Sequence, residues 1–175
     1  INRLIYDQYE LIDGGSWPNE YDEIVLIVNE NNELDDLTLY ALGLISDEEI
    51  DAIIDAAANG TTLEETSKKW TYEEIKQMTF RTVLPANKYQ NRGDGVYIDA
   101  SELLMESLYE RSLELKVTGI VRPKESSDVH MLTSGIGYTK LLTEYVINQA
   151  KETEVVKAQM ANPDVDVLTG LPFEL

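Results

Sequence analysis

Leu113-Glu114-Leu115-Lys116-Val117-Thr118-Gly119-Ile120-Val121-Arg122-Pro123 carries the plainest structural signal in the chain. Leu113, Leu115, Val117, Gly119 and Val121 share one parity, while Glu114, Lys116, Thr118 and Arg122 share the other, with Ile120 its one apolar member. Successive side chains of a strand point to opposite faces, so this stretch reads as a strand with one buried face. Pro123 ends it, because proline offers no N–H to a ladder, and Gly119 marks a place for close packing or a bulge. A strand with one apolar face needs a covering layer.

Working outward, Glu23-Ile24-Val25-Leu26-Ile27-Val28 is the second strand and the expected sheet companion of the first. Its apolar run is continuous, which implies burial on both faces and a central position. Three helical segments are candidates for the cover. Ser46 with Glu49 forms a capping box for a helix Asp47–Ala58, whose stripe is Ile50, Ile53, Ile54 and Ala57 before the Asn59-Gly60 stop. Asp99 or Ser101 opens a helix through Leu103, Leu104, Leu108 and Tyr109. Thr139 opens another, with Leu141, Leu142, Tyr145, Val146 and Gln149 inward.

The remaining segments are shorter. Ile1–Ile12 fits either a strand or a helical turn, and Asp13–Asn19 reads as a turn, with Trp17 packing over the strand that follows it. Asp35 or Asp36 caps a helix through Leu37, Leu39, Tyr40 and Leu42, and Thr71 with Glu74 caps one carrying Ile75 and Met78. Phe80–Leu84 reads as a strand closed by Pro85, 86–98 as a loop with Asn91–Gly95 at its tip, and Ser134–Tyr138 as a turn. A helical piece after Thr153 ends at Asn162-Pro163, and Asp164–Leu168 alternates like a terminal strand. The fold class is therefore α+β, a mixed sheet against several helices, organised as one domain over 1–175 with 46–78 as a peripheral helical insertion.

Composition narrows the chemistry. The 175 residues carry 33 acidic and 14 basic side chains, a formal net charge of −19. A field of that sign disfavours nucleic acid and anionic membrane surfaces and leaves cations or basic partners open. An apolar fraction of 43% suits a globular core. The lack of cysteine removes disulfides, cysteine zinc sites and thiol catalysis. No apolar run approaches the roughly 20 residues of a membrane span. The chain opens on Ile1 without a signal peptide, so it is expected to be an excised piece of a longer protein, with any membrane segments outside it.

Catalytic signals are weak. His130 is the only histidine, so a two-histidine metal site within the chain is excluded. Ser126, Ser127, Asp128 and Ser134 surround it and raise the idea of a hydrolase triad, but no nucleophile elbow is present. The loop Asn29–Asp36 is rich in oxygen ligands, yet a calcium loop counted from Asn29 would need glycine and glutamate where Leu34 and Tyr40 stand. Asp94, Asp99 and Glu102 offer a sparser version of the same idea. Gly135-Ile136-Gly137 lacks the rest of a dinucleotide fingerprint, and Arg92-Gly93-Asp94 spells an adhesion tripeptide of a length that recurs by chance. No catalytic, cofactor-binding or metal-binding residue is assigned.

Three segments together resemble a known family: Gly15-Ser16-Trp17-Pro18 leading into Tyr21–Leu26, then Leu39-Tyr40-Ala41-Leu42-Gly43-Leu44, and Leu115–Val121. In this order they are similar to the large extracellular domain of MacB/FtsX-like ABC transporter permeases of Gram-positive bacteria, to which Gly135–Thr139 also looks similar. The resemblance runs from about Ile12 to Phe173. It implies a MacB periplasmic-core-like α+β domain on the extracellular side of the cell membrane, joined to the transmembrane helices of the same permease. It also implies no catalytic site and no cofactor of its own, an ABC ATPase domain or subunit as cytoplasmic partner, and an extracellular partner protein or exported substrate outside. The acidic stretches Asp47–Lys69 and Lys88–Glu110 depart from the Gram-negative members and put adaptor docking of their kind in doubt. The alternative reading is a stand-alone acidic surface module that binds a cation or a basic peptide.

Overall fold

The strand quoted first is the hub of the sheet. A computed structural model describes residues 3–63, 69–126 and 134–173. The chain divides into two compact units, Ile1–Phe80 with Lys116–Thr139, and Arg81–Leu115 with Lys140–Leu175. In chain order the elements are α1 (Arg3–Gln8), β1 (Tyr9–Ile12), β2 (Glu23–Ile27), α2 (Asp36–Ala41), α3 (Asp47–Asn59), α4 (Tyr72–Gln77) and β3 (Thr79–Thr82). After a 3₁₀ turn at Pro85–Lys88 come β4 (Tyr89–Asn91), β5 (Tyr97–Asp99), α5 (Met105–Glu110), β6 (Leu113–Pro123), β7 (Gly135–Tyr138), α6 (Lys140–Lys151) and α7 (Glu154–Ala161). The architecture is α+β, a mixed sheet packed against helices. The main sheet runs β1-β6-β2-β7, with β3 also paired to β6, while β4 and β5 form a separate hairpin. β6 is parallel to β2 and antiparallel to β1, and β7 is antiparallel to β2.

The sheet explains the apolar exception at Ile120. The register between β2 and β6 shifts by one residue: Ile24 lies opposite Val117, but Val25 lies opposite Gly119 and Leu26 opposite Ile120. Thr118 is the extra residue of a bulge, and one extra residue exchanges the two faces of a strand. Val117 and Ile120 therefore share the side of Ile24 and Leu26, while Gly119 and Val121 take the side of Val25 and Ile27. The one-faced strand expected from parity becomes a strand covered on both sides at its far end, with Ile120 and Val121 at 1% and 0% exposure.

In the first unit, Tyr9, Val25, Ile27 and Val121 pack with Ile5 of α1, and Leu11 and Trp17 close the edge. The cover on this side includes α1 and the Trp17 turn, neither of which was among the helices expected from the sequence to supply it. Within the segment expected as strand or helical turn, Arg3–Gln8 is helix and Tyr9–Ile12 is strand. Trp17 packs over the sheet as expected, with its ring centroid 4.5 Å from that of Tyr6 in a tilted arrangement. Burying an aliphatic side chain of this kind stabilises the fold by roughly 1.5–3 kcal/mol. An exposed ion pair contributes about 0–1 kcal/mol, so the apolar cluster outweighs pairs such as Lys76–Asp13 at 2.8 Å and Lys116–Asp22 at 2.9 Å.

Three of the helix starts read from sequence are capped as expected, whereas α5 begins at Met105 behind Leu104 rather than at Asp99 or Ser101, and Thr153 opens α7 without a side-chain cap bond. Ser46 and Glu49 form a reciprocal box at α3, Thr71 and Glu74 another at α4, and the Asp35 carboxylate accepts from Thr38 N at α2. The inward faces differ from expectation. On α3 the buried or half-buried apolar positions are Ile50, Ile53 and Ala56, whereas Ile54 and Ala57 face solvent. On α2 it is Thr38 that is buried, and Leu37 is exposed. A short helix touching its neighbour along one narrow line buries fewer positions than the sequence stripe offers.

The second unit has a small core of Tyr97, Val155 and Val167, with Tyr89 and Val156 packed against it. The segment 86–98, expected as loop, holds the β4–β5 hairpin, and only its tip matches the expectation. Ser134–Tyr138 in the first unit was expected as a turn and is instead mostly strand β7. Gly137 lies opposite Val25, where an added Cβ would come within 2.8 Å of the Val25 side chain. Asp164–Leu168 is not a strand, since only an isolated bridge joins Val165 to Pro172. The Gln159 side chain holds this segment. Its Nε2 donates to Asn162 O at 3.1 Å and Val165 O at 2.8 Å, and its Oε1 accepts from Val167 N at 3.2 Å.

Candidate functional site

The oxygen-rich loop Asn29–Asp36 uses its oxygens on itself. Asn29 Oδ1 accepts from the N–H groups of Asn31 and Glu33, both at 2.9 Å, and Asn29 Nδ2 donates to the Glu33 carboxylate at 3.1 Å. Asp35 is spent on the α2 cap at 2.7 Å. The Ser134 hydroxyl accepts from Asp35 N at 3.0 Å and lies 3.3 Å from the Thr38 hydroxyl. Ser134, one of the serines flanking His130, is thus a tie between α2 and the start of β7. Ser127, Asp128 and His130 themselves lie outside the described residues.

Asp94, Asp99 and Glu102 do not come together as a set: Asp99 and Glu102 line one open cleft with Ala100, Ser101 and Leu103, and Asp94 is not part of it. Asp94 is gripped by the forked guanidinium of Arg92 and accepts from Val96 N at 3.2 Å. These bonds hold its carboxyl below the usual carboxylate range, the Arg92 contact most of all. Asp99 accepts from the hydroxyl and N–H of Ser101, which lower its pKa in the same way. Among the described residues, no group of three or more His, Asp or Glu side chains is arranged to hold a metal ion. The Arg92-Gly93-Asp94 tripeptide is a closed clasp at the hairpin tip, its two charges turned on each other. Gly135-Ile136-Gly137 is an extended strand, not a phosphate-binding turn.

A feature that the sequence did not announce lies along α5. A shallow groove of about 260 Å³ in the second unit has an apolar floor of Val83, Met105, Leu108 and Tyr109, with Glu102 and Lys88 at its margins. Leu108 is buried at 4% exposure, but Leu103, Met105 and Tyr109 are 85%, 68% and 62% exposed. The sequence stripe suggested a core face here, and the structure leaves much of it open. Arg81 stacks over the Tyr109 ring with its guanidinium carbon 5.0 Å from the centroid, and its far end bonds Glu114 at 3.2 Å. In the sequence, Glu102, Glu106 and Glu110 recur every four residues beside this apolar set.

No helix among the described residues is long and apolar enough to cross a membrane. Compared with family models, with curated proteins and with solved structures, the chain matches none of them.

Proposed function

We propose that the chain is a non-catalytic extracellular domain of a MacB/FtsX-like ABC transporter permease. In that role it couples cytoplasmic ATP hydrolysis to export or to mechanical work outside the membrane. The observation that supports the reading is the meeting of two of the segments on which the resemblance rests. Ser16 N donates to Thr118 O at 2.9 Å, and the Thr118 hydroxyl donates back to Ser16 O at 2.9 Å. A Cβ on Gly15 would fall 2.6 Å from Gly119 Cα, and one on Gly119 would fall 2.6 Å from Ser16 O. Segments about a hundred residues apart thus form one packing unit, which gives their joint occurrence a physical reason.

The test is cellular. The full-length coding sequence should place apolar spans of about 20 residues around this region. A peptide tag in the exposed Arg92–Gly95 turn should be reached by antibody or protease added to intact cells. Recovery of the full-length protein in the soluble fraction, or a tag shielded until lysis, would overturn the proposal.

A second reading, a free-standing acidic module that takes up a cation or basic peptide, draws support from the net charge of −19. Titration with calcium, and with a cationic peptide at two salt concentrations, tests it. Binding that is absent, or that does not weaken with salt, counts against it.

A further inference from the structure

The groove along α5 combines three features rarely left together without use. Its floor is apolar, its rim exposes large side chains, and one lip is acidic. Exposed apolar surface of this sort costs solubility unless something covers it. At about 260 Å³ it lies below the usual range for small-molecule pockets, roughly 300–1,000 Å³. Its scale suits one large apolar side chain presented by a polypeptide.

The charges beside it are not evenly spent. Arg81 is taken by Glu114, and Arg92 by Asp94. Lys88 lines the groove together with Glu102, so a cation brought to Glu102 meets it beside one positive neighbour. Arg111 turns its Nε to Ser107 O at 3.3 Å. Glu102, which lines the groove just before α5, and Glu106 and Glu110, which follow it at intervals of four on α5, are all exposed. Tyr109 already carries one guanidinium on its ring, the arrangement by which aromatic faces attract cations.

We propose that this groove is a docking site for a segment of another polypeptide that inserts a large apolar side chain between Met105 and Tyr109 and sets a lysine or arginine against Glu102 and Glu106. The apolar anchor supplies affinity, and the acidic lip selects the partner and speeds its approach. Helix-in-groove recognition works by this division of labour, with anchors repeating at helical spacing. The proposal does not rest on the transporter reading. A soluble full-length protein would leave it standing, and a failure of docking would leave the transporter reading standing.

The test uses the full chain and three fluorescently labelled synthetic helical peptides. One has leucine on one face and lysine on the other, one has glutamate in place of lysine, and one keeps the lysines but has serine for leucine. The leucine–lysine peptide should bind saturably by anisotropy and weaken as salt is raised. The Met105→Ser variant and the Glu102→Gln/Glu106→Gln variant should each weaken it at least fivefold. A control pair on α3, Glu48→Gln/Asp51→Asn, makes the same charge change and should shift binding less than twofold. All substituted side chains are exposed, and circular dichroism checks that each variant folds. Equal binding of the serine–lysine peptide, or equal loss in the α3 control, would overturn the proposal in favour of unspecific attraction to the net charge. Equal binding of the leucine–glutamate peptide would overturn it too, because the proposed partner is recognised by its cation. A dimer in sedimentation that Met105→Ser dissolves would overturn it in favour of a second copy of the chain.

Discussion

At the scale of single residues, the tightest constraint is steric. Gly119→Ala places a Cβ 2.6 Å from Ser16 O and 2.7 Å from the Leu11 side chain. The backbone contact cannot yield as a side-chain tip can, so the substitution should destabilise the fold by roughly 2–3 kcal/mol, read as a lowered urea midpoint. Gly60→Ala makes the opposite comparison: no atom lies within 4 Å, but the residue closes α3 at φ +63°. Only the left-handed backbone is then at stake, a cost of about 1 kcal/mol. Charge makes a second residue-scale prediction. The Glu74 carboxyl is held below its usual range by the N–H of Thr71 and then by its hydroxyl. A lowered folded pKa means that the unfolded chain binds protons more readily. The stability from this cap is therefore fully present above the unfolded value of about 4 and is lost as pH falls through the folded one. Glu74→Gln keeps an acceptor for the capping box and removes the titration. The variant should lose less of its urea midpoint than the parent between pH 7 and pH 3.

At the scale of elements, local rules written in short polar motifs survived better than rules written in apolar stripes. Ser46, Thr71 and Asp35 were legible as caps because a side-chain oxygen three residues from an N–H has few other uses at a helix start. Ser46→Ala should destabilise α3 by about 1 kcal/mol, with faster amide exchange confined to its first turns. The stripe on α3 was legible as helix but not in its facing, because which of Ile53, Ile54, Ala56 and Ala57 turns inward depends on a neighbour the pattern does not name. β7 was missed for a different reason. The two glycines of Gly-Ile-Gly-Tyr read against a strand, and the pairing depends on the room that Gly137 leaves for the Val25 side chain opposite it. The terminal segment was misjudged because a side chain replaced a ladder. Gln159→Leu removes three hydrogen bonds to the Asn162–Val167 backbone. It should cost roughly 1–3 kcal/mol by leaving those groups unpaired, and proteolysis near Val165 would report it.

At the scale of the whole molecule, charge is the dominant property. With a net charge of −19 the folded chain repels itself more than the expanded one. Screening should relieve this, so the melting temperature should rise as sodium chloride goes from about 10 to 150 mM, over which the Debye length falls from roughly 30 to 8 Å. A flat response would show that the acidic side chains are spread widely enough to ignore one another. The fold class, the two principal strands and their adjacency were legible in the sequence, because a continuous apolar run and an alternating one have few alternative partners. The α5 groove was not. Leu103, Leu104, Leu108 and Tyr109 read as one core face, and only the three-dimensional neighbours decide that Leu108 is covered while Leu103 is bare. The Glu102–Glu106–Glu110 spacing was visible, but in so acidic a chain it could not be told from ordinary solvation.

The extra residue at Thr118 has a consequence for how the chain tolerates change in length. β6 is two alternating rhythms joined half a period out of step, and Thr118 is the beat that separates them. Deleting it would not shorten a loop. It would bring the rhythms into phase, and Leu113–Val117 and Gly119–Pro123 would each keep the face they now have. Deleting Thr118 should therefore cost the bonds it makes to Ser16 yet leave a folded sheet, read as a lowered urea midpoint, whereas a deletion elsewhere in the strand turns the residues between it and the bulge inside out.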